Sequence, residues 1–312
     1  MPPSSNPSGG PSERGSVALR ALLTGLIDYA GIFPPAKLSL EQAARNFVNY
    51  LHRPDAWMLG KFIVPAAQIS QLQDLLQTNP EASHLSLPLS VLLGAEPQRD
   101  AELVRKAIAA NASSSSGTVS VDAIEFRPGS PSMIAETATA LPKHVPVFCE
   151  VPIAEDLPVW LAAIRHAGWS AKIRTGGITP ELFPSSSKVA EFIMQCHLHG
   201  VAFKATAGLH HPVRSEHQLT YEANSACGVM HGFLNVFLGA AFVECGISTE
   251  QLIQILDDTQ PASFQFSGQS AYWNKLFLSA GDLTTTRQRF AISFGSCSFE
   301  EPVLDLQHLG LL

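Results

Sequence analysis

The chain has 312 residues, a formal net charge of −7, 46% hydrophobic residues and only 15% charged ones. Phosphate binding to nucleic acid needs a concentrated cationic surface, so the acidic balance argues against a nucleic-acid partner. So high an apolar share excludes disorder for most of the chain.

Residues 1–16 are rich in Pro, Ser and Gly, lack an apolar core, and read as a disordered tail rather than a secretory signal. From there an apolar run followed by a helical pattern recurs. GLIDYAGIF (25–33) precedes a helix over 39–53, with Ser39 as N-cap and Leu40, Ala43, Phe47 and Leu51 on one face. Strand-like runs follow at 57–65, 87–94, 119–127, 144–152, 170–177 and 201–208. Helices are predicted between them over 67–77, 97–111, 131–140, 156–168 and 186–199, the last ended by Gly200. The Ser-rich stretch 113–116 reads as a loop. Beyond 208, an apolar helix is predicted at about 225–245 and another at 248–258. The eighth strand is either 263–267 or 290–295.

Seven strand–helix units and an eighth strand predict an α/β fold, a (β/α)8 barrel occupying residues 17–312 as one domain. No GxGxxG follows the first strand, which counts against the alternative of a dinucleotide-binding open sheet. Five cysteines, at 149, 196, 227, 245 and 297, form no CxxC pair. They predict neither a disulfide framework nor a structural zinc site, and suit a reducing cytoplasm. The apolar stretch 223–241 holds His231 and Asn235 and lacks flanking Lys/Arg clusters, so it reads as a buried helix and not a membrane span.

The scarce charges fall in a pattern. On a strand, alternate residues share a face. Glu125 and Arg127 share one face, as do Lys172 and Arg174, and Lys204 and Thr206, while Glu150 ends its strand. The intervening Ile124, Phe126, Ile173 and Phe203 suit packing against outer helices. The charged set is therefore expected inside the barrel near its C-terminal mouth, where active sites of this fold lie. Asp28 on the first strand is a further candidate for the lumen. Gly176 and Gly177 follow Arg174 and would let backbone N–H groups approach an anion. His210 and His211 follow the seventh strand and can bind an anion or move protons. Cys297 sits in a loop near the C-terminus, where an inert thiol is the simpler reading.

Two lysines sharing one pocket should depress one another's ionisation, giving a free amine that forms a Schiff base with a carbonyl. Lys172, Lys204, Glu125 and Glu150 are then the catalytic candidates. Arg127, Arg174, Gly176, Gly177, His210, His211 and Asp28 are the candidates for binding a small anionic substrate. No cofactor is required. Two other readings stand beside this one: a metal-dependent enzyme using Glu125, Glu150, His210 and His211, and a non-enzymatic binder of an acidic metabolite. The low charge of helices 67–77 and 225–243 marks them as candidate faces for a homo-oligomer.

The segments AKIRTGG around Lys172 and FKATAG around Lys204 resemble class I aldolases of the deoxyribose-phosphate aldolase type, over residues 119–208. The resemblance implies that Lys172 forms the imine, Lys204 lowers its pKa, and Glu125 serves as the acid. Glu125 stands where that family has Asp, and Arg174 where it has a small polar residue. DYAGIFPP, KIRTGG, KATAGLHH and HGFLN also resemble a bacterial protein family of uncharacterised activity.

Overall fold

The computed structural model describes residues 15–79, 82, 84–111, 118–153 and 156–312. Seven parallel strands appear where apolar runs were expected: β1 (Ile27–Tyr29), β2 (Leu59–Pro65), β3 (Ser86–Leu92), β4 (Thr118–Phe126), β5 (Val147–Glu150), β6 (Ser170–Arg174) and β7 (Phe203–Thr206). An antiparallel pair follows, β8 (Ser215–Gln218) with β9 (Cys227–Met230). Next come three short antiparallel strands, β10 (Phe264–Ser267), β11 (Ser270–Trp273) and β12 (Leu276–Ser279). The last strand is β13 (Ala291–Ser296), and the order β1-β13-β7-β6-β5-β4-β3-β2 closes into a barrel. The fold is thus the (β/α)8 type. Of the two candidates for the eighth strand, the later one closes the barrel.

Segment 263–267 cannot serve that role, because tight turns fold it straight back. Gly268 and Asn274, both at positive φ, make the two reversals of the β10–β12 meander. A parallel barrel strand would instead need a helical crossover. The helix expected from 225 also begins later, at Phe233. Residues 227–230 pair with 215–218 as a hairpin, and Gly232 caps the helix Phe233–Glu244. Gly228 lies in that hairpin, and glycine lowers helix propensity.

Apolar residues of alternate strand positions pack outward. Phe203 meets Phe192 edge-on at 5.6 Å and stacks with Phe237 at 6.3 Å, while Phe294 stacks on Phe233 at 5.4 Å. Residues 233–243 are buried all round, since this helix lies between the barrel and the helices Thr249–Asp257 and Ala280–Arg289. Its low charge therefore reflects burial inside its own chain, and it has no free face for a second subunit. Local capping follows the sequence: Ser39 Oγ accepts from Gln42 N at 3.1 Å, and Gly200 ends its helix at φ +62°. Ser16 caps a first helix, Val17–Leu23. The remainder of the expected tail and the Ser-rich loop at 113–116 lie outside the described residues. Among the described residues no helix is long and apolar enough to cross a membrane.

Candidate active site

Strand register places the inward charges in two adjacent layers. Glu150 pairs with Lys172 and Lys172 with Lys204, while Glu125 pairs with Phe148 one layer below Glu150. Asp28, Glu125, Glu150, Lys172 and Lys204 are all buried. Such burial is tolerable only with full pairing, and the pairing is an alternating ladder. Lys204 Nζ donates to Asp28 Oδ2 at 2.6 Å and to Glu125 Oε1 at 2.7 Å. Lys172 Nζ lies 2.8 Å from Glu125 Oε2 and 2.8 Å from Glu150 Oε2. Arg174 Nε reaches Glu150 Oε1 at 3.2 Å, and Arg127 Nε lies 3.9 Å from the same oxygen.

Hydroxyl and amide donors complete the ladder. Ser90 Oγ donates to Glu125 Oε1 and Ser293 Oγ to Asp28 Oδ2, each at 2.7 Å. Asp28 Oδ1 accepts from the Lys61 N–H at 2.7 Å. That approach requires Gly60, whose missing side chain leaves the space Asp28 occupies.

These contacts set the ionisation. Burial works to raise the Glu125 carboxyl pKa, but Lys172 and Lys204 outweigh it and hold the group far below the carboxylate range. Glu150 is lowered too: burial opposes, and Lys172 and Arg174 prevail. For Lys204, burial favours the neutral amine, yet Asp28 and Glu125 push its pKa upward. The expected mutual depression of the lysines thus does not govern Lys204, because a carboxylate stands between the two ammoniums.

Above the ladder opens a cavity of about 450 Å³ at the C-terminal mouth. Glu125, Glu150, Lys172, Arg127 and Arg174 line it, with Gly177, Thr206, His210 and His211. Asp28 and Lys204 lie beneath its floor, and apolar residues including Phe33, Ile63, Leu92 and Met230 form much of the wall. The hairpin β8–β9 covers part of the opening with Gln218, Leu219, Thr220 and Tyr221.

The structure redistributes some candidates. Arg127 and Arg174 were expected inside the barrel but sit at its rim, their side chains 72% and 41% exposed. Strand β4 ends at Phe126, so Arg127 already belongs to the loop. Gly176 packs away from the cavity lining: a side chain there would come within 2.8 Å of the Gly208 Cα. Its smallness serves the close crossing of the loops after β6 and β7. His210 Nδ1 pairs with Glu301 Oε2 at 2.8 Å and His211 Nδ1 with Asp305 Oδ2 at 2.6 Å, the two acids lying four apart on the helix Glu300–His308. The His211 ring stacks on His217, centroids 3.3 Å apart. Glu125 and Glu150 are thus taken up by the lysine ladder and His210 and His211 by acids of the helix Glu300–His308, and no group of three or more His, Cys, Asp or Glu among the described residues is placed to hold a metal ion. Burial raises Cys297 to about 11, so it is a protonated thiol at neutral pH. His231 and Asn235 are buried and satisfied: His231 Nε2 bonds Pro184 O at 2.7 Å, and Asn235 Nδ2 donates to Ile255 O at 2.7 Å.

Ser90, Ser293, His217, Tyr221, Glu301 and Asp305 were not among the expected residues. Ser90 and Ser293 had a signal, each being a hydroxyl within an otherwise apolar strand (LPLSVLL and FAISFG). Compared with protein-family models, with curated proteins and with solved structures, the chain gives no match.

Proposed function

We propose that this protein is a Schiff-base-forming lyase of aldolase type, acting on a phosphorylated or carboxylated carbonyl compound. The observation that carries this reading is the placement of Lys172. It is the one lysine among the described residues lining the cavity, and its ammonium lies between two carboxylates. The resemblance of AKIRTGG to deoxyribose-phosphate aldolases likewise makes Lys172 the imine-forming residue; the acid it implies, Glu125, gives way here to Glu150.

The chemistry needs a proton acceptor, a nucleophile and an anion site. Lys172 must shed one proton before its nitrogen attacks the carbonyl carbon. Glu150 receives it: both acids line the cavity, but Glu125 is held in addition by the Lys204 ammonium and the Ser90 hydroxyl. The carbonyl oxygen takes up two protons, one passed from the attacking nitrogen and one from Glu150, and leaves as water while the nitrogen, keeping its last proton, forms an iminium. Glu150 returns its proton in that dehydration. The iminium then draws in the electron pair of the bond between its α and β carbons as that bond breaks. The β-hydroxyl gives its proton to Glu150 and departs as a carbonyl. Glu150 passes that proton to the α carbon of the resulting enamine, and water hydrolyses the imine to free Lys172. Lys204 remains an ammonium throughout, keeping Glu125 ionised beside the iminium. Arg127 and Arg174 at the rim supply the charge-assisted bonds that hold the substrate anion.

The test is borohydride trapping. The protein is incubated with phosphorylated and carboxylated aldehydes and ketones, reduced, and weighed by mass spectrometry. The expected result is a stoichiometric adduct, mapped to Lys172 and missing in Lys172→Ala. No adduct across the panel, or an adduct unaffected by that substitution, overturns the proposal.

A further inference from the structure

A second cavity of about 660 Å³ adjoins the first, and the two share Arg127, Glu150, Arg174 and Leu182. This annex extends outward between the loop after β5, with Val151 and Ile153, and the segment leading into the helix Ser186–His199. Lys188, in the first turn of that helix, also lines it.

The charge of the annex is unbalanced. Glu150 is already engaged by Lys172 at 2.8 Å and by Arg174 at 3.2 Å. Glu181 is fully exposed and is the other carboxylate among the described lining residues. Against it stand three cations from three elements: Arg127 after β4, Arg174 ending β6, and Lys188. Among the described residues, the ion pairs of both guanidiniums run through Nε. Their terminal nitrogens, which carry four of the five donors of each group, make no ion pair or hydrogen bond with the described residues. The Lys188 ammonium has no ion pair among the described residues, and only its backbone N–H is used, by Ser185 Oγ.

We infer that the annex binds the phosphate of a phosphorylated carbonyl substrate, with the carbonyl at Lys172 and the phosphate reaching between Arg127 and Arg174 toward Lys188. The reactive end of this assignment rests on the Schiff-base reading; the annex itself does not. A carboxylate offers one charge and two oxygens, which a single guanidinium satisfies. A phosphate monoester offers nearly two charges and three strongly accepting oxygens, the number that three separate cations can meet. The substrate class narrows accordingly, from an anionic carbonyl compound to a sugar-phosphate-like one.

Calorimetric titration with inorganic phosphate, and in parallel with acetate, tests the annex without any turnover. Phosphate is expected to bind, and Lys188→Ala and Arg127→Gln, both at exposed positions, are each expected to weaken it about tenfold, the loss of one charge-assisted contact. Phosphate binding unaffected by either substitution, or no binding, overturns the inference. Acetate binding as tightly and with the same sensitivity overturns the choice of phosphate over carboxylate. Borohydride trapping with an unphosphorylated aldehyde reports separately on Lys172. Sensitive phosphate binding with no trapping keeps the annex and removes the Schiff-base reading; trapping without phosphate binding does the reverse.

Discussion

Glu125 divides its carboxylate between Lys172 and Lys204, giving Oε2 to one at 2.8 Å and Oε1 to the other at 2.7 Å. One anion thereby joins the lysine that lines the cavity to the buried lysine beneath it. The substitution Glu125→Gln removes that charge and leaves two buried ammoniums facing a neutral amide. Breaking a buried pair from one side costs about 3–5 kcal/mol, and urea unfolding should show a loss of that order. Full stability in Glu125→Gln would mean the ladder relaxes far more easily than its burial implies.

Lys172→Arg separates charge from nucleophilicity. The guanidinium keeps a cation between Glu125 and Glu150, but does not lose its proton to form an imine. The variant should unfold cooperatively near the wild-type midpoint and give no borohydride adduct. Lys204→Met should behave in the opposite way. It strips Asp28 of its ammonium, and because Lys204 is fully buried the loss falls on stability, about 3–5 kcal/mol by the same reasoning.

Gly60→Ala tests the placement of Asp28. An added methyl would occupy the position of Asp28 Oδ1 and come within 3.0 Å of Gly25 O. The backbone oxygen cannot yield cheaply, so Asp28 must move off the Lys61 N–H and Lys204. Overpacking of this kind costs about 1–3 kcal/mol, and a fall in melting temperature of several degrees is expected. An unchanged melting temperature would show that the β1–β2 contact is looser than described.

Stability should be greatest between about pH 6.5 and 9, for reasons of opposite sign at the two edges. Burial, with the nearby Arg214 charge assisting and the hydrogen bond to Pro184 O opposing, lowers the pKa of His231 from 6.5; burial and His211 lower that of His217. The unfolded chain therefore binds protons below pH 6.5 that the fold refuses, and stability falls. Glu125 and Glu150, lowered from 4.5, add a steeper loss below that value. At the alkaline edge, burial raises Cys149 from 9.0 to about 12 and raises Cys196 as well, so the unfolded thiols ionise first and stability falls above pH 9. The Lys204 contribution is complete below 10.5 and lost only as pH rises toward its raised folded value. Urea unfolding from pH 5 to pH 10.5 checks the curve, and stability increasing from pH 7 to pH 5 would contradict it.

Much of this was legible in the sequence because a parallel barrel strand needs an apolar outer face. Ile124, Phe126, Ile173 and Phe203 mark that face, and alternation then forces Glu125, Lys172 and Lys204 inward. What alternation does not convey is height along the barrel axis. Glu125 aligns with Phe148 and lies one layer below Glu150, so it comes between the lysines instead of beside them. That offset depends on pairing between strands far apart in sequence. Gly176 misleads for a similar reason, since its neighbour Gly208 comes from the next loop. The hairpin β8–β9 and the strands β11 and β12 of the meander escaped notice because they are only four residues long and carry no clean apolar alternation, whereas β10, FQFS, alternates and was legible as a strand.

The ladder also decides how the barrel can be assembled. Its longest rungs join residues far apart along the chain, 176 positions for Lys204 with Asp28 and 265 for Ser293 with Asp28. A half-barrel ending after β4 would hold Asp28 and Glu125 without any lysine to meet them, and the complementary half would hold the lysines with Glu150 alone. Neither fragment could keep its lumen dry. The buried charges thus make the barrel indivisible, and closure of the first strand onto the last is the event that makes its interior chemically viable.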